Sequence, residues 1–146
     1  MSVQTREIVQ CPECKYEQEM EVYRSINTGL DPNLRRELFE GAVNRFTCES
    51  CGHQSALAIP LLYNDPQRQF CVHYYPLQMV KSEQFLAQFN RDATVNAAQV
   101  EDPDIPAYMH KMQVVFDLNE MIHYILFREE LFAYFLKNTD ASISSA

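Results

Sequence analysis

The sequence predicts an α+β fold, in which an N-terminal antiparallel β-sheet carries a short inserted helix and is followed by a helical C-terminal extension. Three observations lead to this prediction. Apolar and polar residues alternate around two cysteine pairs in the first 63 residues, as they do in half-buried strands. A short segment between the pairs has helix start and stop signals, and the last third carries apolar residues at helical spacing.

The two cysteine pairs are Cys-Pro-Glu-Cys at 11–14 and Cys-Glu-Ser-Cys at 48–51. A Cys-x-x-Cys turn directs two sulfurs at one ion, and two such turns complete the tetrahedral shell that zinc prefers. Alternation after the first pair and a glycine after the second indicate that each pair joins two strands. The sequence therefore predicts a zinc ribbon over residues 6–63, with a structural zinc ion held by Cys11, Cys14, Cys48 and Cys51.

Two other chemistries are open to these cysteines. A redox dithiol would need a helix that starts at Cys11, because a helix N-terminus lowers the thiol pKa, and the strand-like alternation argues against it. Disulfides are disfavoured, because the five cysteines are an odd number and residues 1–10 do not resemble a signal peptide.

The sequence marks both ends of the inserted helix. Asp31 is placed to cap it, Pro32 occupies the first helical position, and Gly41 follows its end. Leu34 and Leu38 share one face, so the helix is expected to pack on the apolar side of the ribbon.

The remainder of the chain completes one domain over residues 1–137. We expect a strand at 69–75, a helix at 81–90 capped by Ser82, and a proline-containing loop at 91–112. An apolar stripe predicts C-terminal helices over 117–137, with a bend near 128–130 where the stripe shifts phase. Residues 138–146 are expected to form a flexible tail.

Composition favours a compact cytoplasmic domain. The 146 residues are 47% hydrophobic, enough for a sizeable core, and no apolar run reaches the length of a membrane span. The formal net charge is −8, and zinc bound by four thiolates would take it to about −10. Such a charge disfavours binding to nucleic-acid phosphates.

The order of these motifs resembles the CpXC-motif domain family of prokaryotic proteins. The first cysteine pair, the helix that ends at Gly41, the segment Phe-Thr-Cys-Glu-Ser-Cys-Gly-His at 46–53 and the segment Pro-Leu-Leu-Tyr-Asn-Asp-Pro at 60–66 carry the resemblance. It spans about Val9 to Lys137 and departs from the motif at Glu49, which replaces a proline. The resemblance implies a zinc ribbon with a helical extension, and it implies no activity.

Three functions remain open. The first is a non-enzymatic interaction or regulatory module that acts through protein–protein contacts, because a closed four-thiolate site has no open position for substrate. Its partner would be another protein, or a second copy bound through the C-terminal helices. The second is nucleic-acid binding or transcription-linked regulation through candidate contact residues Lys15, Arg35, Arg36, Arg45 and His53.

The third function is an enzyme, although no catalytic residue is predicted. No Gly-rich phosphate loop, nucleophile elbow or zinc-hydrolase helix is present. An unrecognised site near His73 would draw on His53, Tyr63 and Asp65, which the predicted strands and second knuckle bring into one neighbourhood. Cys71 lies two residues from His73 on the same strand face, but two donors do not make a metal site, so both are expected to be packing residues.

Overall fold

The computed structural model of the chain describes residues 2–94 and 106–145, with side chains of the last helix described through Asn138. Seven strands and three α-helices follow in chain order: β1 (Val3–Gln10), β2 (Glu17–Asn27), α1 (Asn33–Phe39), β3 (Arg45–Thr47), β4 (Gln54–Ala56), β5 (Leu61–Asp65), β6 (Phe70–Tyr74), α2 (Glu83–Leu86), β7 (Gln113–Val115) and α3 (Leu118–Ser145). Two 3-10 helices are also described: Leu77–Lys81 precedes α2, and Ala107–Lys111 precedes β7.

The strands form a five-stranded sheet in the order β1-β2-β5-β6-β7 and a separate β3–β4 hairpin. The predicted α+β class is confirmed. The five-stranded sheet is mixed, however, because β1–β2 and β5–β6 are antiparallel whereas β2–β5 and β6–β7 are parallel. Both cysteine hairpins are antiparallel, as predicted for the ribbon, whereas the two parallel pairings were not predicted because local alternation does not specify a strand's partner. Intervening helices supply the crossovers that parallel neighbours require.

Both cysteine pairs lie at the turns of hairpins, as the sequence predicted. The first hairpin pairs β1 with β2, with Gln10 opposite Glu17 next to the turn. The second pairs β3 with β4, with Thr47 opposite Gln54. Each turn is therefore fixed at the end of a strand ladder.

The buried residues form two clusters of unequal size. The larger contains Ile26 of β2, Tyr63 of β5, Val72 of β6 and the α3 residues Met121 and Ile125. The smaller contains Cys11, Phe46 and Cys48, with Val9, Met20 and Leu57 packed against it. The larger cluster is the core of the sheet, and the smaller one lies under the cysteine pairs.

Helix α1 ends as predicted but begins differently. Gly41 has φ 77°, its N–H donates to the carbonyl of Leu38, and the next N–H, of Ala42, donates to Glu37. This is a Schellman ending, in which only a residue with positive φ closes the last turn without strain. The Asp31 side chain does not cap the helix; instead the backbone carbonyl of Asp31 accepts from the Leu34 N–H at 3.2 Å. Leu34 and Leu38 are buried in the larger cluster, as expected.

The elements between the ribbon and the last helix match the predictions in part. The strand expected at 69–75 is β6. The helix expected at 81–90 is a 3-10 turn followed by the four-residue α2, whose first turn is capped by Ser82. Of the loop expected at 91–112, residues 95–105 lie outside the described residues and residues 107–111 form the second 3-10 helix.

Helix α3 is a single helix where the sequence predicted a bend and then a tail. Its backbone continues from Leu118 to Ser145, through the phase shift at 128–130 and into the segment expected to be flexible. Polar residues interrupt the stripe because they pack against the domain: Arg128 lies 5.0 Å over the ring of Phe70, and Glu129 pairs with Arg35. Among the described residues, no helix combines the length and apolarity needed to cross a membrane.

The Arg35–Glu129 pair joins α1 to α3. Nε and Nη2 of Arg35 donate to the two carboxylate oxygens at 2.6 and 2.8 Å, and the guanidinium lies 4.3 Å over Phe39. The Glu129 side chain is only 15% exposed. Two parallel charge-assisted bonds at a half-buried position stabilise more than an exposed ion pair does.

We therefore expect Arg35→Met to lower the free energy of unfolding by about 1–2 kcal/mol. The matched change Arg36→Met removes an exposed pair with Glu40 at 3.9 Å and should cost less than about 0.5 kcal/mol. Urea unfolding of both variants measures the difference. Equal losses would mean that the α1–α3 contact contributes no more than an exposed pair.

Candidate metal centre

The turn of the first hairpin is held by its own backbone. The N–H of Cys11 donates to the carbonyl of Tyr16 at 2.9 Å, and the N–H of Lys15 donates back to the carbonyl of Cys11 at 3.0 Å. Lys15 has φ 67°, the left-handed conformation that a side chain disfavours. The left-handed conformation of Lys15 reverses the backbone, and this reversal directs the sulfurs of Cys11 and Cys14 towards the same side of the turn.

The second turn repeats this pattern. The N–H of Cys48 donates to the carbonyl of His53 at 2.8 Å, and the N–H of Gly52 donates to the carbonyl of Cys48 at 3.0 Å. Gly52 has φ 78° and occupies the place of Lys15 in the first turn. The two turns therefore present their cysteines in the same way from opposite sides of one point.

Side-chain bonds of Gln18 and Asn44 fasten the two hairpins together. Gln18 of β2 donates from Nε2 to the carbonyl of Thr47 at 3.0 Å, and its Oε1 accepts from the N–H of Glu49 at 3.0 Å. Asn44, 8% exposed, accepts from the N–H of Tyr23 and donates to the carbonyl of the same residue, at 2.7 and 3.0 Å. Sequence reasoning missed both residues. Asn44 has positive φ, which asparagine tolerates well, but nothing local marks Gln18.

The four sulfurs meet between the turns. All lie within 4.8 Å of one another, with Cys11 and Cys51 at 3.6 Å and Cys14 and Cys48 at 3.5 Å. Zinc bound tetrahedrally by four sulfurs at about 2.3 Å separates them by about 3.8 Å. The donor set and its spacing therefore fit a metal ion of this kind, and these four cysteines could hold one.

The four sulfurs differ in burial and in hydrogen bonding. Cys11 and Cys48 are buried, whereas Cys14 and Cys51 are exposed. Burial raises the pKa of the Cys48 thiol, but the N–H groups of Cys51 and Ser50, both 3.4 Å from its sulfur, contribute to lowering that pKa to about 6. A backbone hydrogen bond from His53 lowers the pKa of Cys51, but burial and the Cys14 thiol raise it to about 12. The N–H groups of Cys51 and Ser50 therefore favour the thiolate form of Cys48.

The candidate contact residues are spread over several elements. Lys15 and His53 belong to the two turns, Arg45 begins β3 and donates to Gln54 at 3.2 Å, and Arg36 is exposed on α1. Arg35 is committed to Glu129 and is not a free surface charge. The exposed side chains of Glu13, Glu17 and Glu49 lie on the same turns and the adjoining strand. The structure therefore does not add support for a basic surface here.

Two of the residues that the sequence places near His73, Tyr63 and Asp65, are buried. Tyr63 is fully buried and Asp65 is 2% exposed, with its carboxylate occupied by Arg68 at 2.8 Å. Among the described residues, Nδ1 of His73 has no hydrogen-bond partner, and its ring stacks on Tyr75 at 4.1 Å. Neither of two described grooves, of about 550 and 490 Å³, is lined by His73. Cys71 is buried outside the four-sulfur group, and burial raises the pKa of its thiol to about 11.

Comparison with known families returns one finding that covers most of the chain. A family model described as CpXC protein matches residues 9–132, which include both cysteine pairs and the first part of α3. Comparisons with curated proteins and with solved structures find no match.

The positive φ of Gly52 predicts that alanine at this position lowers both stability and metal affinity, and Gly41 is the matched control. Gly52→Ala and Gly41→Ala should each lower the free energy of unfolding by about 1 kcal/mol, because both require a left-handed alanine and neither meets another atom within 4 Å. Metal titrations should separate them, since only Gly52 shapes a cysteine turn. An equal loss of metal affinity in both would contradict that role.

Burial of His73 predicts a dependence of stability on pH. Burial lowers the pKa of His73 from 6.5 to about 4, so the unfolded chain binds the proton more readily. This contribution to stability is complete above pH 6.5 and is lost as pH falls towards 4, by at most about 3 kcal/mol. In urea unfolding between about pH 7 and 4, His73→Phe should lose less stability than the wild type. Because both proteins keep the four cysteines, parallel curves would show that His73 does not titrate in this way.

Proposed function

The chain belongs to the CpXC family, and from this premise we propose that it is a zinc-stabilised, non-enzymatic module that acts through protein–protein contacts. Cys11, Cys14, Cys48 and Cys51 would hold one zinc ion. The observation that carries the proposal is the convergence of four sulfurs, from two hairpins, within 4.8 Å. Four thiolates fill the coordination shell of zinc, so the ion would stabilise the fold and would not bind substrate.

A metal ion would stabilise the junction of the two hairpins, because few other residues are buried there. In β1 no residue is fully buried, and two of the three buried residues beneath the turns are the ligands Cys11 and Cys48. A cluster of this size cannot offset the entropy of ordering two hairpins, whereas a structural zinc site contributes folding free energy directly. Iron also accepts four tetrahedral thiolates, so the metal must be identified by measurement.

Exposed apolar residues support the protein-contact part of the proposal. Helix α3 leaves Phe127, Tyr134, Phe135 and Leu136 each more than half exposed. Large exposed apolar patches mark contact surfaces for other proteins. On β2, by contrast, exposed Glu17, Glu19 and Glu21 share one face, and the whole chain carries a net charge of −8, which would repel nucleic acid.

We expect Cys14→Ser and Cys51→Ser each to reduce bound zinc from about one ion per chain towards zero and to unfold both hairpins, because three ligands leave the shell open. Elemental analysis and thermal melting, before and after chelation, measure both effects. Cys71→Ala is the matched control: it removes a buried thiol outside the group, so it should keep the zinc while lowering the melting temperature.

Two results would contradict the structural-zinc proposal. One is a melting curve of the wild-type protein that does not change on chelation. The other is iron in place of zinc in protein purified from its native host, which would also give a visible absorption band that zinc lacks.

A further inference from the structure

The distal part of α3 presents four exposed residues in a line on one face. Phe127, Glu130, Tyr134 and Lys137 occur at positions i, i+3, i+7 and i+10, and all four are exposed. This is the spacing of a coiled-coil seam, about 15 Å long. We call these four residues the α3 seam. It lies on a different face from Met121 and Ile125, which pack into the core.

We propose that the α3 seam binds a second copy of this chain in the antiparallel direction. This inference specifies the partner of the protein contacts proposed above and rests on that proposed function. The spacing of the seam is symmetric about residue 132, so reversing the helix superposes the seam on itself. A two-fold axis at this point places Phe127 opposite Lys137 of the second copy, and Glu130 opposite Tyr134 of the second copy.

Each of these facing pairs is chemically complementary. The ammonium group of Lys137 can lie over the ring of Phe127, and the hydroxyl of Tyr134 can donate to the carboxylate of Glu130. Glu130 also becomes a diagonal neighbour of Lys137 in the second copy, which has the opposite charge. A parallel second copy would instead place like charges together, Glu130 against Glu130 and Lys137 against Lys137, which is unfavourable. Charge therefore selects the antiparallel direction.

The available area suits only a weak, reversible homodimer. Phe127 and Tyr134 of the seam and Leu126 beside it are 57%, 58% and 41% exposed. Since an aromatic side chain buries roughly 150–250 Å² in full, this side of α3 offers on the order of 300 Å² of apolar surface per chain. Two copies would bury less than about 1,000 Å² in total, which is the range of weak, transient contacts. The two-fold symmetry is that of most soluble homo-oligomers.

Sedimentation equilibrium of the zinc-loaded full chain, up to about 200 µM, tests the proposal. We expect a dimer that dissociates in the micromolar range. Glu130→Lys should weaken it about tenfold, because the introduced ammonium group would then lie beside Lys137 of the second copy. The double change Glu130→Lys with Lys137→Glu should recover part of the lost affinity, because opposite charges are neighbours again although the contact between Lys137 and Phe127 is lost. Glu17→Lys, an equal change of charge at an exposed position on β2, should leave it unaffected.

The outcomes separate this inference from the proposed zinc function. Zinc content and melting temperature are measured for each variant, and all should match the wild type because the substituted residues are exposed. A wild-type chain that stays monomeric while keeping its zinc overturns the second-copy inference alone and leaves the α3 face to a different protein. The antiparallel seam is overturned by a dimer that Glu130→Lys does not weaken, or by a double variant that binds no more tightly than Glu130→Lys alone.

Discussion

The rest of the structure depends on bringing together two turns whose facing cysteines, Cys14 and Cys48, are 34 residues apart in the chain. The buried cluster beneath the turns contains only Cys11, Phe46 and Cys48, so the junction of the two hairpins depends on directional bonds. The paired amide bonds of Gln18 and Asn44 orient the second hairpin against β2, and the backbone bonds within each turn aim the sulfurs. The sulfurs then lie at the separations that a tetrahedral ion requires.

Strand β2 transmits this arrangement to the remainder of the fold. Its first residues pair with β1 beside the cysteine turn, whereas its last residues pair in parallel with β5 in the centre of the sheet. Gln18 and Ile26 of the same strand therefore contact the second hairpin and the main core, respectively. One continuous strand contacts both clusters. Local unfolding that starts at the cysteine turns is therefore expected to disrupt the β1 edge of the sheet before it disrupts α3.

Three ionisable groups of the interior have pKa values that are shifted mainly by burial. Burial raises the pKa values of Tyr63 and Cys71 and lowers that of His73, so in each case the neutral form is favoured. A catalytic base or nucleophile usually needs a specific partner that tunes its pKa, and none of these three groups has one as the leading cause of its shift. Helix α3 leaves four described apolar side chains more than half exposed to solvent, namely Phe127, Tyr134, Phe135 and Leu136.

Local rules in the sequence were sufficient for the cysteine turns, the glycine that ends α1, strand β6 and the Ser82 cap, because each depends on residues only a few positions apart. They also predicted the four-cysteine set, since the spacing within each pair carries that information. The tertiary structure decided the rest. Contacts between distant segments decide which strands pair in parallel and why Arg35 binds Glu129. They also decide why α3 continues through residues 128–130 and how Gln18 joins the hairpins. Such contacts are selected by the free energy of the whole fold, and no local pattern encodes them.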